Sequence, residues 1–285
     1  SNLHKDAVLV KGDFGDLKVL RKLFGKYQSN LFDAVIHFAA SIDLNESIQK
    51  PIEYCENNTL KTEVLVQEML RTGIDKIIFS STAAVYGNQK IMPIPETAIG
   101  ENLAPYGESK LLSEQIIKAY SNSTPLKAIV FRYFNACGSD FDKTIYPHHA
   151  TSLIPHVMNV VSGSEDKLNI FGTDFDTIDG SGVRDYVHVL DIARAHVVGL
   201  DHLDKLPKDK GGFKLFNIGT GTGWSVKQIV AATERITSKD IPVEIAERRS
   251  VDVAIAVADN TKIKKELGFE LKYSDLETLI KTSWH

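Results

Sequence analysis

Cysteine is nearly missing from this chain: Cys55 and Cys137 are its two thiols in 285 residues. Two cysteines cannot build the framework of bridges that staples a small secreted domain, so a reducing compartment, the cytoplasm, is the expected setting. Long apolar runs are missing as well. No stretch approaches the ~18 residues a membrane-spanning helix needs, and the first residues show no signal-peptide pattern. An excess of one charge is also lacking, since 33 basic and 37 acidic residues leave a net charge of -4, which offers no broad basic field for nucleic acid. Metal-ligand clusters are lacking too: His148 and His149 are adjacent, so they point apart in extended chain, and no Cys or carboxylate cluster accompanies them. No metal is expected. What is present, 43% hydrophobic and 25% charged residues, suffices for one large core or for a core plus a smaller lobe.

The most informative stretch runs from Ile77 to Lys110. An apolar strand, Ile77-Ile78-Phe79, empties into Ser80-Ser81-Thr82, and Pro105-Tyr106-Gly107-Glu108-Ser109-Lys110 follows. Pro105 suits the first turn of a helix, which would place Tyr106 and Lys110 on one face about a turn apart. A tyrosine alone titrates near ~10, but an ammonium held beside it favours the phenolate. The pair can then take a proton from an alcohol, with Thr82 sharing the hydrogen bond at a strand end, where open α/β sheets place their ligands. Taken alone, the Tyr-to-Lys spacing is more often that of a solvated helix face; the Ser-Ser-Thr strand end turns the reading toward chemistry.

Five segments in order carry a resemblance: Val35-Ile36-His37-Phe38-Ala39-Ala40, Ser80 to Gly87, Pro105 to Lys110, Arg132-Tyr133-Phe134-Asn135, and Gly182-Val183-Arg184-Asp185-Tyr186-Val187-His188. On these residues the chain resembles the extended short-chain dehydrogenases/reductases, in the UDP-glucose 4-epimerase branch and its relatives that act on N-acetylated sugars. The resemblance implies an α/β fold: a doubly wound, Rossmann-like parallel sheet with a smaller carboxy-terminal substrate lobe. The dinucleotide-binding domain would be residues 1–135 completed by 187–219, and the lobe 136–186 with 220–285. Such a domain normally opens on strand, glycine-rich turn and helix, and no such turn precedes Asp13. Set against the family, the chain is expected to lack that first portion.

The resemblance also assigns roles. NAD is the implied cofactor, with Asp13 on the adenine amino group, Phe14 packed on the ring, and Phe38, Ala39 and Ala40 forming a strand end that a cofactor approaches closely. Asn57, Ser80, Thr82, Tyr106, Lys110 and Phe134 complete the cofactor set. The family's lysine just beyond Ala40 is missing from Ala40-Ser41-Ile42. A UDP-hexose is the implied substrate, with Asn135, Arg184 and Arg249 on the diphosphate, Asp252 on the ribose, Phe171 against the uracil, and Ser152, Leu153 and Asn169 nearby. The planar fork of an arginine suits a diphosphate, although Arg184 could equally pair with Asp185 on the surface. Val251 stands where the family has glycine, and Ala256 where some members carry a tyrosine, leaving room for an N-acetyl group.

Local patterns complete the reading. Ala7-Val8-Leu9-Val10 and Ala34 to Ala40 read as strands, the second buried, with helix periodicity at Leu17, Leu20 and Leu23-Phe24 between them. Asp13 is as well suited to capping a helix as to holding a base. His37 reads as a satisfied core histidine without a role. Val187 to Leu200 reads as a helix and Leu215 to Gly219 as a strand, while the glycine-rich Thr220 to Trp224 reads as a turn before a helix near Ser225. The helix from Tyr106 carries Leu111-Leu112, Ile116 and Tyr120, an apolar face wider than one sheet contact needs, and by resemblance pairs with the helix after Asn57 in a homodimer.

The implied reaction inverts C4 of the hexose: Tyr106 takes the C4 hydroxyl proton, Thr82 shares its hydrogen bond, and Lys110 keeps the phenol acidic and binds the nicotinamide ribose. Three other readings stand beside it. A dehydratase needs an acid beside the threonine, where Ala83-Ala84 stand. A noncatalytic binding module of the same fold is the second, although both Tyr106 and Lys110 stand, and a folded piece that binds no dinucleotide is the third.

Overall fold

The computed structural model describes residues 4–27, 32–142, 144, 152–207, 212–249 and 252–284. The pair His148-His149 and the segment Ser250-Val251 lie outside them. In chain order the elements are α1 (Leu17–Tyr27), β1 (Val35–His37), α2 (Leu44–Gln49), α3 (Pro51–Tyr54), a π-helical turn (Cys55–Leu60), α4 (Lys61–Arg71), β2 (Lys76–Thr82), a 3-10 turn (Ala83–Tyr86), α5 (Pro105–Ser123), β3 (Lys127–Tyr133) and β4 (Asn135–Cys137). There follow α6 (Leu153–Ser162), β5 (Leu168–Phe171), β6 (Val183–Arg184), β7 (Tyr186–His188), α7 (Val189–Leu203), β8 (Gly212–Ile218), β9 (Trp224–Ser225), α8 (Val226–Thr237), β10 (Val243–Ala246), β11 (Ile255–Ala256), α9 (Thr261–Leu267) and α10 (Leu276–Ser283). Among the described residues no helix is long and apolar enough to cross a membrane.

The chain divides into two compact units. The first comprises Ser1–Gly87, Ile99–Arg132 and His196–Phe216; the second comprises Asn88–Ala98, Tyr133–Ala195 and Asn217–His285. The main sheet has the order β1-β2-β3-β8, and β1 pairs with β2 in parallel, Ile36 opposite Ile78. Side chains alternate along β2. Ile77 and Phe79 enter a core with Leu20 and Phe24 of α1, Leu65, Val66 and Met69 of α4, and Ile117 of α5. Ile78 points the other way, where with Phe131 it meets Gly199 of α7 so closely that an added Cβ would lie 3.2 Å from it. Helices on both faces call for apolar side chains on both sides of the strand, and Ile77, Ile78 and Phe79 in β2 supply them.

The second unit is built of small pairings. β4 runs parallel to β7 and β5 parallel to β10, while β6 sits between β11 and β9. Two apolar clusters hold it, one around Ile154, Met158, Ile229, Leu279 and Ile280, the other around Val157, Val161, Leu168, Ile170 and Ile241. Ser225 caps α8 through a reciprocal capping box with Gln228, so the turn expected over Thr220 to Trp224 does precede a helix, with Trp224 itself in β9.

Several expectations need correction. Ala7 to Val10 forms no strand; Val8 is 76% exposed, and among the described residues β1 ends the sheet on that side, so no ladder receives it. The strand expected over Ala34 to Ala40 shrinks to Val35–His37. It is an edge strand, open on one face, and Ile36 and Phe38 are exposed. The helix expected from Val187 begins at Val189, because Val187 and His188 belong to β7. On α5 the buried stripe is polar, Ser109, Lys110, Ser113, Glu114 and Ser121 around Ile117, whereas Leu112 is exposed.

Candidate active site

The site grows from the end of β2. Its last residue, Thr82, turns the chain into a 3-10 helix by accepting the N–H of Ala84 at 3.1 Å. Pro105 opens α5 as its first residue. The two ends meet at Gly107, where an added Cβ would lie 2.7 Å from the carbonyl oxygen of Ala84. No side chain fits there, which lets the start of α5 close onto the threonine turn. The result is the hydrogen bond between the Thr82 hydroxyl and the Tyr106 phenol.

Lys110 lies one turn along the same helix and is 3% exposed. Its Nζ rests 4.2 Å from the centroid of the Phe79 ring and, among the described residues, makes no hydrogen bond. Burial pulls its pKa down to about 7, opposed by the charge of Glu114. Burial likewise raises the Tyr106 phenol, and the Thr82 hydrogen bond works in the opposite direction. In the chain by itself, therefore, the amine does not make the phenol acidic as the spacing suggested. Both groups sit in one poorly solvated place, and the lysine's own charge is disfavoured there.

Beneath these groups is a buried polar lattice. Glu114 receives the Ser81 hydroxyl and, at 2.9 and 2.6 Å, the Nε and Nη2 of Arg132. Arg132 lies 4.7 Å from the centroid of Tyr86. On the other side of α5, Asn58 accepts the Ser41 N–H at 2.8 Å and donates to the Ser41 carbonyl at 2.9 Å and the Ser109 hydroxyl at 3.0 Å. Asn57 is half-buried beside it and donates to the Ser41 hydroxyl at 3.1 Å. Sequence reasoning assigned Glu114, Arg132 and Asn58 no role; the signal was a carboxylate one turn after Lys110 and an asparagine pair in an otherwise periodic helix.

The remaining residues of the first unit are placed as follows. Asp13 caps no helix: it accepts the Gly15 N–H at 2.8 Å and pairs with Lys61 Nζ at 2.6 Å, and that hydrogen bond holds its carboxyl below the usual range. Lys61 also reaches Asn57 at 3.1 Å. Phe14 packs tilted against His37 with ring centroids 4.8 Å apart, and His37 is buried against the Thr62 hydroxyl at 2.9 Å and pushed by burial to about 3. Phe38 is 56% exposed with His196 against one side of its ring at 4.8 Å. Ala39 is exposed, and Ala40 and Ser80 are half-buried.

In the second unit, Asn135 leads β4 and donates its N–H to Asp185, next to buried Phe134. Asp185 does not pair with Arg184. Its carboxylate is buried and accepts the N–H and hydroxyl of Thr220 at 2.8 and 2.6 Å, and the N–H groups of Gly221 and Ala258 at 2.9 and 3.1 Å. The glycine-rich turn thus does cradle an anion, and the anion is the protein's own aspartate. Arg184 is left with backbone acceptors, the carbonyls of Val183 and Ala254, and burial lowers its pKa. Ala256 lies directly across the ladder from Arg184. Arg249 lies 4.5 Å from the centroid of Phe171 and forks onto Asp252 at 2.8 and 3.0 Å. Ser152 and Asn169 are exposed and Leu153 is half-buried. Among the described residues no group of three His, Cys, Asp or Glu side chains could hold a metal.

A family model, NAD dependent epimerase/dehydratase family, matches residues 1–219. A UDP-glucose 4-epimerase of Halalkalibacterium halodurans is 40% identical over 282 residues, 98% of this chain and 82% of its own length. A crystal structure of UDP-glucose 4-epimerase from Brucella ovis in complex with NAD superposes with a TM-score of 0.89 at 38% identity, covering 96% of this chain and 83% of that one. The UDP-Glc/GlcNAc 4-epimerase from Campylobacter jejuni gives a TM-score of 0.80 at 39% identity, covering 96% and 82%.

Proposed function

Because the chain belongs to the NAD dependent epimerase/dehydratase family, we propose that it is an NAD-dependent 4-epimerase of UDP-hexoses, inverting C4 through a transient 4-keto sugar. The observation that carries this reading is the hydroxyl–phenol pair Thr82–Tyr106 with a buried, hydrogen-bond-poor Lys110 one helical turn away.

NAD suits these residues. A largely buried lysine that spends its ammonium on no hydrogen bond to a described residue is a ready donor to sugar hydroxyls, and Lys110 is the group for the nicotinamide ribose. Ala39 and Ala40 lack bulk at the end of β1, where Asn58 fixes the following backbone. Asn57, Ser80 and Phe134 join the set, with Asp13 and Phe14 for the adenine end. When bound, NAD supplies the acceptor and donor of the C4 hydride, and its positive charge favours the phenolate of Tyr106.

The chain's own residues do the rest. Thr82 holds the C4 hydroxyl in line with the phenol oxygen of Tyr106, which takes the hydroxyl proton as hydride leaves and gives a proton back when the second face is reduced. Burial keeps water from competing for that proton. Arg184 has no carboxylate partner among the described residues, which suits it to a diphosphate, and Arg249 and Phe171 present a guanidinium stacked on a ring. Asn135, Ser152, Leu153, Asn169, Asp252 and Ala256 complete the nucleotide-sugar set. The first unit then serves as the dinucleotide domain and the second as the substrate lobe. Ala256, in place of a bulkier residue opposite Arg184, leaves space for an N-acetyl group.

Two further assignments belong to this reading. The polar stripe buried on α5 leaves Leu112 outward with Leu60 exposed on the π turn, which supports a homodimer through these helices; sedimentation as a clean monomer at micromolar concentration would remove it. Two free cysteines fit a reducing, cytoplasmic setting. The test of the function is to release and assay NAD from the purified protein and then to compare turnover of UDP-glucose with that of UDP-N-acetylglucosamine. Conversion of both is expected; absence of C4 inversion with either would end the proposal.

A further inference from the structure

Glu114 is a carboxylate with 4% exposure, one helical turn beyond Lys110 on α5. A buried charge of that kind is retained only if it is fully partnered. Its partners come from two other elements of the same unit. Ser81, the neighbour of Thr82 on β2, donates its hydroxyl to Oε1. Arg132, near the end of β3, forks onto both oxygens, and its guanidinium lies against Tyr86 in the turn that Thr82 caps. Burial works against the Arg132 charge, and the Glu114 hydrogen bonds more than offset it, so the guanidinium stays protonated. None of these groups is needed for the proton transfer itself. All of them bind the helix that carries Tyr106 and Lys110 to the strand and turn that carry Thr82.

We propose that Glu114 is a positioning residue for the reaction: it fixes the register of α5 against the end of β2 through Ser81 and Arg132, and it is the negative charge that the buried ammonium of Lys110 faces. The inference rests on the 4-epimerase reading for its effect on turnover and stands apart from it for its effect on Lys110. The ammonium lies over the Phe79 ring of β2, and the titratable groups that feel its charge are neutral His37 of β1 and Glu114. Glu114 is the acid among them, and its charge raises the lysine's pKa against the larger effect of burial. Arg132 shares the carboxylate, so exchanging Glu114 for a neutral amide leaves two cations facing no anion.

The test uses the full chain with lysine side chains labelled for NMR, Lys110→Met serving to assign the Lys110 signal. In Glu114→Gln, which keeps shape and a hydrogen bond to Ser81, the Lys110 titration moves to lower pH by about one unit, a tenfold change in its proton affinity. Turnover falls on the order of ten- to a hundredfold with KM for the UDP-hexose little changed, since a small misplacement at the reacting groups has that effect. If Glu114→Gln fails to fold, Glu114→Gln/Arg132→Gln removes the stranded guanidinium as well; fold returns, and the Lys110 shift and the loss in kcat remain. Ser81→Ala keeps the ion pair and so leaves the Lys110 titration in place while lowering kcat. A Lys110 signal that titrates at the wild-type pH in the folded glutamine variants overturns the inference, as does wild-type kcat in them. A shifted Lys110 in a chain whose unmutated form inverts no C4 would instead contradict the epimerase reading and leave the electrostatic coupling standing.

Discussion

Replacing Lys110 by methionine should make the ligand-free protein more stable and useless as a catalyst. The lysine is 3% exposed and burial brings its pKa from 10.5 to about 7. At 1.36 kcal/mol per unit that difference amounts to at most about 5 kcal/mol against the charged form. The Phe79 ring, 4.2 Å from the ammonium, returns about 1–2 kcal/mol, leaving about 3 kcal/mol. The sign follows from proton counting. Between about 7 and 10.5 the folded chain binds fewer protons at this site than the unfolded chain, so wild-type stability rises with pH across that window. Below it both states are protonated and the full cost is present. Lys110→Met, close in volume and uncharged, escapes that cost. Urea unfolding at pH 6 should therefore show the variant about 3 kcal/mol more stable, with the advantage shrinking as pH is raised from 7 toward 10. A variant less stable at pH 6, or a pH-independent difference, would refute the burial argument and with it the idea that this amine is held in readiness for a ligand.

Other consequences are simpler to read. Tyr106→Phe removes one hydroxyl that bonds Thr82; stability should drop by about 1 kcal/mol while C4 inversion falls at least a thousandfold on the order expected for a lost general base, and retention of a tenth of the activity would break the assignment. Asn58→Ala strips partners from Ser41 and Ser109 and should destabilise by about 2–4 kcal/mol in a denaturant titration; a change under 1 kcal/mol would contradict the clamp. Ala256→Tyr, opposite Arg184 in the ladder, should raise KM for UDP-N-acetylglucosamine far more than for UDP-glucose, and equal effects on both would remove the pocket argument.

The sequence carried the placement of the candidate site better than the edges of the fold. That Thr82 ends a strand, that Tyr106 opens a helix beside it and that Lys110 follows one turn on was legible because strand period, a proline helix start and a four-residue spacing all act locally. The lattice around Glu114, Arg132 and Asn58 was not, since its partners lie on elements distant in sequence and no local pattern marks a buried carboxylate as paired. Ala7 to Val10 has strand composition yet is no strand, because β structure needs a neighbouring ladder and composition supplies only the propensity. The polar buried stripe of α5 escaped periodicity for a related reason: hydrogen bonds from Asn58, Thr59 and Arg132 bury serines and a glutamate as effectively as apolar contact would. The aspartate beside Arg184 suggested an ion pair from adjacency alone, whereas its carboxylate is taken up by Thr220, Gly221 and Ala258, residues distant in sequence.

The account turns on a hydride that leaves C4 and comes back to it without meeting solvent. Incubation of the protein with UDP-glucose deuterated at C4, followed by mass and proton analysis of the UDP-galactose formed, tests that step directly. The predicted result is inverted product that keeps its deuterium at C4; product that has lost the label to water, or no inversion by protein carrying NAD, would contradict it.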